Sequence, residues 1–172
     1  MGNRTTVALL TEDTYAPAFI EGVIRRLVER NYIDNEIYVC KGKDSYRKIL
    51  PCTDKMRRII KNIIDKCDKV LVFQDADGRD VGEVYNDVKS HLKELSDYID
   101  RKIFIIIFNQ EIEEWIIPNA HKPSDELKRT RGYEKYQLPN YVNEVDFEKI
   151  KNLRSFQDFL RALQASPRGD VR

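Results

Sequence analysis

Lys69 to Asp77 reads KVLVFQDAD, an apolar run that stops abruptly at two aspartates one residue apart. Val70, Leu71, Val72 and Phe73 are consecutive strand formers, the pattern of a strand covered on both faces in a parallel α/β sheet. Ligands of such sheets sit just beyond the carboxyl ends of the strands, where Asp75 and Asp77 fall. Two carboxylates that close repel each other unless something positive joins them. A divalent cation would do so, and an oxygen-only ligand set favours magnesium, manganese or calcium over zinc. The competing reading of DADG is a polar turn in which Gly78 takes the unusual dihedral and the aspartates are solvated.

On the amino-terminal side, Thr6 to Leu10 (TVALL) reads as the first strand and Tyr15 to Asn31 as the helix after it. Phe19, Val23, Leu27 and Val28 recur at helical spacing, and Pro17 is tolerated in the first turn. Glu12 therefore lies where a strand ends and a helix begins, the same kind of position as Asp75 and Asp77. A carboxylate there would equally cap the helix, as would Asp13 or Thr14. Glu36 to Cys40 is a second strand, followed by KGKDS, in which Lys43 marks either an anion-binding loop or a solvated turn; the full P-loop pattern is absent. Thr53 to Lys66 is a helix with Met56, Ile59, Ile60, Ile63 and Ile64 on its apolar face.

On the carboxyl-terminal side, Arg79 and Asp80 flank the aspartates, and Glu83 to Leu95 reads as a helix through Val84, Val88, Leu92 and Leu95. Lys102 to Phe108 (KIFIIIF) is the most apolar strand and again ends in acid, NQEIEEWII. Strands alternating with helices predict an α/β fold, a mainly parallel sheet of about four strands with helices on both faces. A helix starting at Glu111 would put Glu111 and Glu114 on one face with Trp115 packed inward. First-turn acid complementing the helix dipole is the competing reading, preferred for Glu114.

Residues 1–117 thus form the core. Residues 118–145 change character, with Pro118, Pro123 and Pro139 and the stretch KRTRGYEKY, and read as an irregular arm or insertion. Its Lys128, Arg129 and Arg131, interleaved with Tyr133 and Tyr136, suit phosphates and bases; a solvated surface explains them equally. Residues 146–165 end in a helix capped by Ser155 that packs on the core, and Ser166 to Arg172 reads as a flexible tail.

The 172 residues suit one domain. A net charge of +1 provides no global basic field, so any nucleic-acid contact must come from a local patch. Cys40, Cys52 and Cys67 are odd in number and lack CxxC spacing, which suggests neither a disulfide framework nor a zinc knuckle and fits reduced thiols in a cytoplasm. The amino terminus is too short in apolar residues for a signal peptide or membrane span. His91 and His121 have neither metal-ligand spacing nor an evident nucleophile partner.

LLTED at Leu9 to Asp13, the GK of Gly42 and Lys43, FQDAD at Phe73 to Asp77, EIEEW at Glu111 to Trp115 and SFQDFLRAL at Ser155 to Leu163, taken in order, resemble a Toprim-like domain. This is the acidic metal-binding fold of topoisomerases, bacterial primases, recombination mediators and overcoming-lysogenization-defect nucleases. More narrowly, the chain resembles the small stand-alone family known as domain of unknown function 4276. Asp13 stands where the family's first motif usually has glycine. The resemblance implies Glu12 as general acid/base and, with Asp75 and Asp77, as metal ligand; Mg2+, with Mn2+ as its substitute, as cofactor; and Glu111 and Glu113 as further site residues. Lys43 and Arg79 would hold phosphate, joined by Lys128, Arg129 and Arg131 from the arm.

The expected function is metal-dependent phosphodiester hydrolysis or transfer on nucleic acid, DNA ahead of RNA, in defence against mobile elements or in repair. The alternative is a partner-dependent or non-catalytic regulatory or scaffold module, working with a protein such as an ATPase; a homodimer is also considered. An Asp-x-Asp pair also opens the nucleophile motif of haloacid-dehalogenase-like phosphatases, but there it follows the first strand.

Overall fold

The computed structural model describes residues 4–33 and 36–165. Five strands, β1 (Arg4–Thr11), β2 (Glu36–Val39), β3 (Tyr46–Lys48), β4 (Lys69–Asp75) and β5 (Ile103–Phe108), form one sheet ordered β2-β1-β4-β5, with β3 also on β1. Every pairing is parallel. The helices are α1 (Ala16–Glu29), α2 (Asp54–Ile63), α3 (Val81–Ser90), α4 (Pro123–Arg131), α5 (Phe147–Ile150) and α6 (Arg154–Gln164).

The α/β architecture follows the pattern of the apolar runs, with one strand more than the four expected. The additional strand is Tyr46-Arg47-Lys48, too short and polar to announce itself. It pairs with Leu9–Thr11 while β2 pairs with Arg4–Val7, so both share one edge of β1. The KGKDS loop joins them: Cys40 N donates to Val7 O and Leu9 N to Ser45 O, each at 2.8 Å.

Alternation along the strands divides the core into two layers. Val7, Leu9, Leu71, Phe73, Ile106 and Phe108 face α1 and α6. Ala8, Leu10, Val70, Val72, Ile105 and Ile107 face α2 and α3. From β1 the chain crosses by α1 to β2, and from β4 it crosses by α3 on the opposite face to β5. The paired carboxyl ends of β1 and β4 are therefore the topological switch point, where open α/β sheets bind ligands.

Local chemistry sets the helix starts. Thr53 accepts from Met56 N at 3.2 Å and Asp80 from Glu83 N at 3.0 Å. Asp13 Oδ1 accepts from Tyr15 N at 2.7 Å and Ala16 N at 2.9 Å, so the first helix is held by Asp13. The third helix stops at Ser90, before the expected Leu95, which sits at φ −111° inside the 3₁₀ segment Lys93–Tyr98.

Residues 118–145 hold α4 and a 3₁₀ segment, Lys135–Glu144, and contribute Leu127, Tyr133, Leu138 and Val145 to the same buried cluster as the sheet. Their seat on α1 requires Gly22: a Cβ there would come within 2.6 Å of Val142. Arg26 fixes the contact by donating to Val142 O at 2.8 Å and Val145 O at 2.7 Å. The last helix is not capped by Ser155, because Leu153 precedes its first residue and Ser155 is buried within it. Its carboxyl end rests on Lys69, a fully buried cation donating to Ala162 O at 2.5 Å and Leu163 O at 2.9 Å. Burial lowers that ammonium's pKa to about 8. The tail read at Ser166 to Arg172 lies outside the described residues, among which no helix is long and apolar enough to cross a membrane.

Candidate functional site

Beyond β4 the ladder to β5 continues into a turn. Ala76 N donates to Phe108 O at 2.9 Å, Asp77 N to Gln110 O at 3.0 Å and Gly78 N to Asn109 O at 3.0 Å. Asp77 (φ 50°) and Gly78 (φ 85°) are both left-handed, a conformation that aspartate tolerates and glycine adopts freely. DADG is thus a turn, and the turn presents acid: Asp75 is half-buried and Asp77 exposed. Across the switch point, Glu12 Oε1 accepts from Asp75 N at 2.5 Å, tying the end of β1 to the end of β4.

These carboxyls disturb one another. Burial, then the charge of Glu12, pushes Asp75 up to about 9, with Glu113 and Asp77 adding to the rise and Lys135 opposing it. Glu12 is also raised, by burial first and then by Asp77 and Asp13, against the Asp75 amide and Lys135.

The cation is Lys135, at the start of the 3₁₀ segment that packs on α1. Its Nζ donates to Glu113 Oε2 at 2.6 Å and lies 3.6 Å from Asp13 Oδ2. Burial works to lower its pKa, but Glu113, Asp13 and Asp75 outweigh that and hold it above the usual lysine value. Glu113 has no exposed surface; Oε2 also accepts from Tyr133 OH at 2.7 Å, while Oε1 is buried with no hydrogen-bond partner. Burial and Glu113 raise the Tyr133 phenol, keeping it a donor.

Glu111 and Glu114 go elsewhere. Ile112–Trp115 is a 3₁₀ turn and Glu111 is extended at φ −158°, so the helical face expected for Glu111 and Glu114 does not form. Glu111 Oε2 accepts from Ser124 N at 2.7 Å, at the start of α4. Glu114 accepts from Gln110 N at 2.9 Å, Asn109 N at 3.2 Å and Ser155 Oγ at 2.8 Å, and Ser155 in turn accepts from Trp115 Nε1 at 3.0 Å.

Of the basic residues singled out in the sequence, none bonds to the acidic edge among the described residues. Arg79 pairs with Asp87 at 3.0 Å, Arg129 with Glu126 at 2.6 Å and Arg131 with Glu144. Lys43 and Lys128 are exposed, Lys43 in the KGKDS loop and Lys128 in the last turn of α4. Lys135 carried a signal that sequence reading missed. Gly132 (φ 65°) ends α4 and Glu134 is extended, so Tyr133 and Lys135 alternate onto one side, where both reach Glu113.

Among the described residues, no three His, Cys, Asp or Glu side chains are gathered closely enough to hold a metal ion. The donor set nonetheless suits a hard divalent cation. It is oxygen-only, its Glu12 and Asp75 are held toward their protonated forms by burial and mutual charge, and one buried oxygen of Glu113 is unpartnered. An ion would have to draw the carboxylates together and displace a proton. No family model matches the chain, and neither a curated protein nor a solved structure gives a match.

Proposed function

We propose that the acidic switch-point edge binds magnesium or manganese and supports phosphodiester hydrolysis on nucleic acid. The observation that carries this reading is the meeting of Glu12 and Asp75 across the paired ends of β1 and β4, both with raised pKa values. The ordered Toprim-like motifs of the sequence support it and favour DNA over RNA. Glu12, Asp75 and Asp77 would hold the ion. A bound divalent cation supplies charge neutralisation on the phosphate and a more acidic water. Glu12 binds the Asp75 amide through one oxygen, and its raised pKa suits it to take a proton from water or return one to the leaving oxygen. Lys135, the cation beside Asp13 and Glu113, would receive phosphate oxygens.

A second reading, a partner-dependent regulatory or scaffold module, is favoured by the ungathered carboxylates and by the ion pairing of Lys135 among them. In that case, a partner protein assembles the site.

Two measurements separate the readings. Thermal unfolding with magnesium, manganese or calcium should show stabilisation of roughly 2.7 kcal/mol at about a hundredfold over the dissociation constant, absent in Asp77→Asn. Cleavage of labelled DNA and RNA should fall about 10²- to 10⁴-fold in Glu12→Gln. Cleavage that survives Glu12→Gln sinks the mechanism, and neither metal shift nor cleavage in the isolated chain selects the second reading.

A further inference from the structure

A groove of about 610 Å³ runs between α2 and the loop and strand that precede it, walled by Lys43, Arg47, Lys55, Arg58 and Lys61, with Asp44 as its one acidic residue. The whole chain carries 30 basic and 29 acidic residues, so this concentration leaves the remainder net acidic. Lys55, Arg58 and Lys61 recur every third residue on α2, a stripe about 9 Å long at the usual helical rise. Like charges so close on one helix face do not favour the helix, so local helix stability does not account for the stripe. Arg47 pairs with Asp44 at 3.5 Å and Lys61 with Glu94 at 3.2 Å. Among the described residues, Lys43, Lys55 and Arg58 have no carboxylate partner; all three are exposed.

One wall of the groove, β3, lies beside the carboxyl end of the strand that leads to Glu12. This wall pairs Lys48 with Thr11, the residue before Glu12, and Ile49 N donates to Thr11 O at 2.7 Å. We infer that this groove holds a nucleic-acid strand by its phosphates and leads it to the carboxyl ends of β1 and β4. The inference rests on the nucleic-acid reading above and deepens it. The recognition is of the backbone, because the wall offers cations and Asn62 and no exposed aromatic ring on which a base would stack. It also resolves the near-neutral net charge: the electrostatic footprint is local, and the acidic remainder of the surface repels phosphates elsewhere.

The test is fluorescence anisotropy of a labelled single strand and its duplex, without divalent metal, across about 50 to 200 mM salt. Wild type is compared with Lys43→Glu/Lys55→Glu/Arg58→Glu and, should the reversed charges unfold the chain, with Lys43→Gln/Lys55→Gln/Arg58→Gln. Removing three phosphate contacts should flatten the logarithmic salt dependence by about 2 for the single strand and weaken low-salt binding at least about tenfold. Lys151→Gln, an exposed cation outside the groove, should bind like wild type. Unchanged affinity and slope in both triple variants overturn the groove, as does wild type that binds phosphatidylserine vesicles but no oligonucleotide. Binding lost in the triple variants of a chain that cleaves nothing upholds the groove and sinks the hydrolytic reading; cleavage that persists with binding unchanged does the reverse.

Discussion

Two groups of carboxylates follow two neighbouring strands of this sheet, and they do opposite work. After β5, Glu111 and Glu114 accept from the backbone amides of Ser124, Asn109 and Gln110, so their charge fixes the exit of the strand and the start of α4. After β4, Asp75 and Asp77 accept no such hydrogen bonds among the described residues, and Asp75 is pushed up to about 9 by burial and by Glu12. Glu113 lies between the two kinds, buried like Glu114 but turned toward Lys135. The difference teaches that acid at a strand end is uninformative until its partners are known. A carboxylate whose oxygens are taken up by amides and hydroxyls is scaffold, whereas one left among other carboxylates is held toward its protonated form.

The largest expected effect tests whether Lys135 is the counter-charge of the second group. Lys135→Met leaves the fully buried Glu113 with only Tyr133, which should cost about 3 kcal/mol and lower the unfolding midpoint by roughly 6–12 °C. Adding Glu113→Gln should restore most of that loss, because the cost lies in the unpaired charge. A Lys135→Met chain as stable as wild type would dissolve the distinction. Next in size is Glu114→Gln, which keeps the shape but replaces one acceptor oxygen by a donor facing the amides or Ser155. About 2 kcal/mol should be lost in chemical denaturation. The exposed Asp77→Asn should stay within about 0.5 kcal/mol of wild type in the same assay without metal.

How much of this was legible in the sequence depends on the range of the interaction. KVLVFQDAD and KIFIIIF announce their strands because burial on both faces demands unbroken apolar runs, and the switch point follows from their order. Tyr46–Lys48 escaped notice because an edge strand of three residues needs only backbone pairing, which any side chains allow. Glu111 and Glu113 stood together as site candidates, and Glu113 could not be told from Glu111 without knowing that the turn there is 3₁₀, since the tighter winding changes which acid faces the site. Ser155 looks like a cap in sequence, yet a hydroxyl between Glu114 and the Trp115 indole serves a contact some 40 residues away. Lys135 is the same problem at 60 residues from Asp75: Gly132 marks the end of α4, but no local pattern records that the lysine beyond it closes on a distant strand end.

An effect smaller than those at Lys135 and Glu114 is the sharpest test of the uncommitted group. Asp75 has a folded pKa near 9, well above its ordinary value of 3.8, so between those limits the native chain holds a proton that the unfolded chain releases. The stability this contributes is fully present below about pH 4 and is lost as the pH rises through the folded value. Stability should therefore fall across the window from about 4 to 9. Asp75→Asn removes the titrating group while keeping its size, so the decline should flatten. At pH 7, solvent at the half-buried edge screens the effect, and the variant should be more stable by on the order of 1 kcal/mol. Magnesium adds a crossed condition: if the site takes the ion at the expense of that proton, the wild-type midpoint should respond more at pH 8.5 than at pH 6, and the variant little at either. A wild-type curve that rises with pH in this window would show Asp75 ionised in the native chain and supplied with a partner, placing it with Glu111 and Glu114.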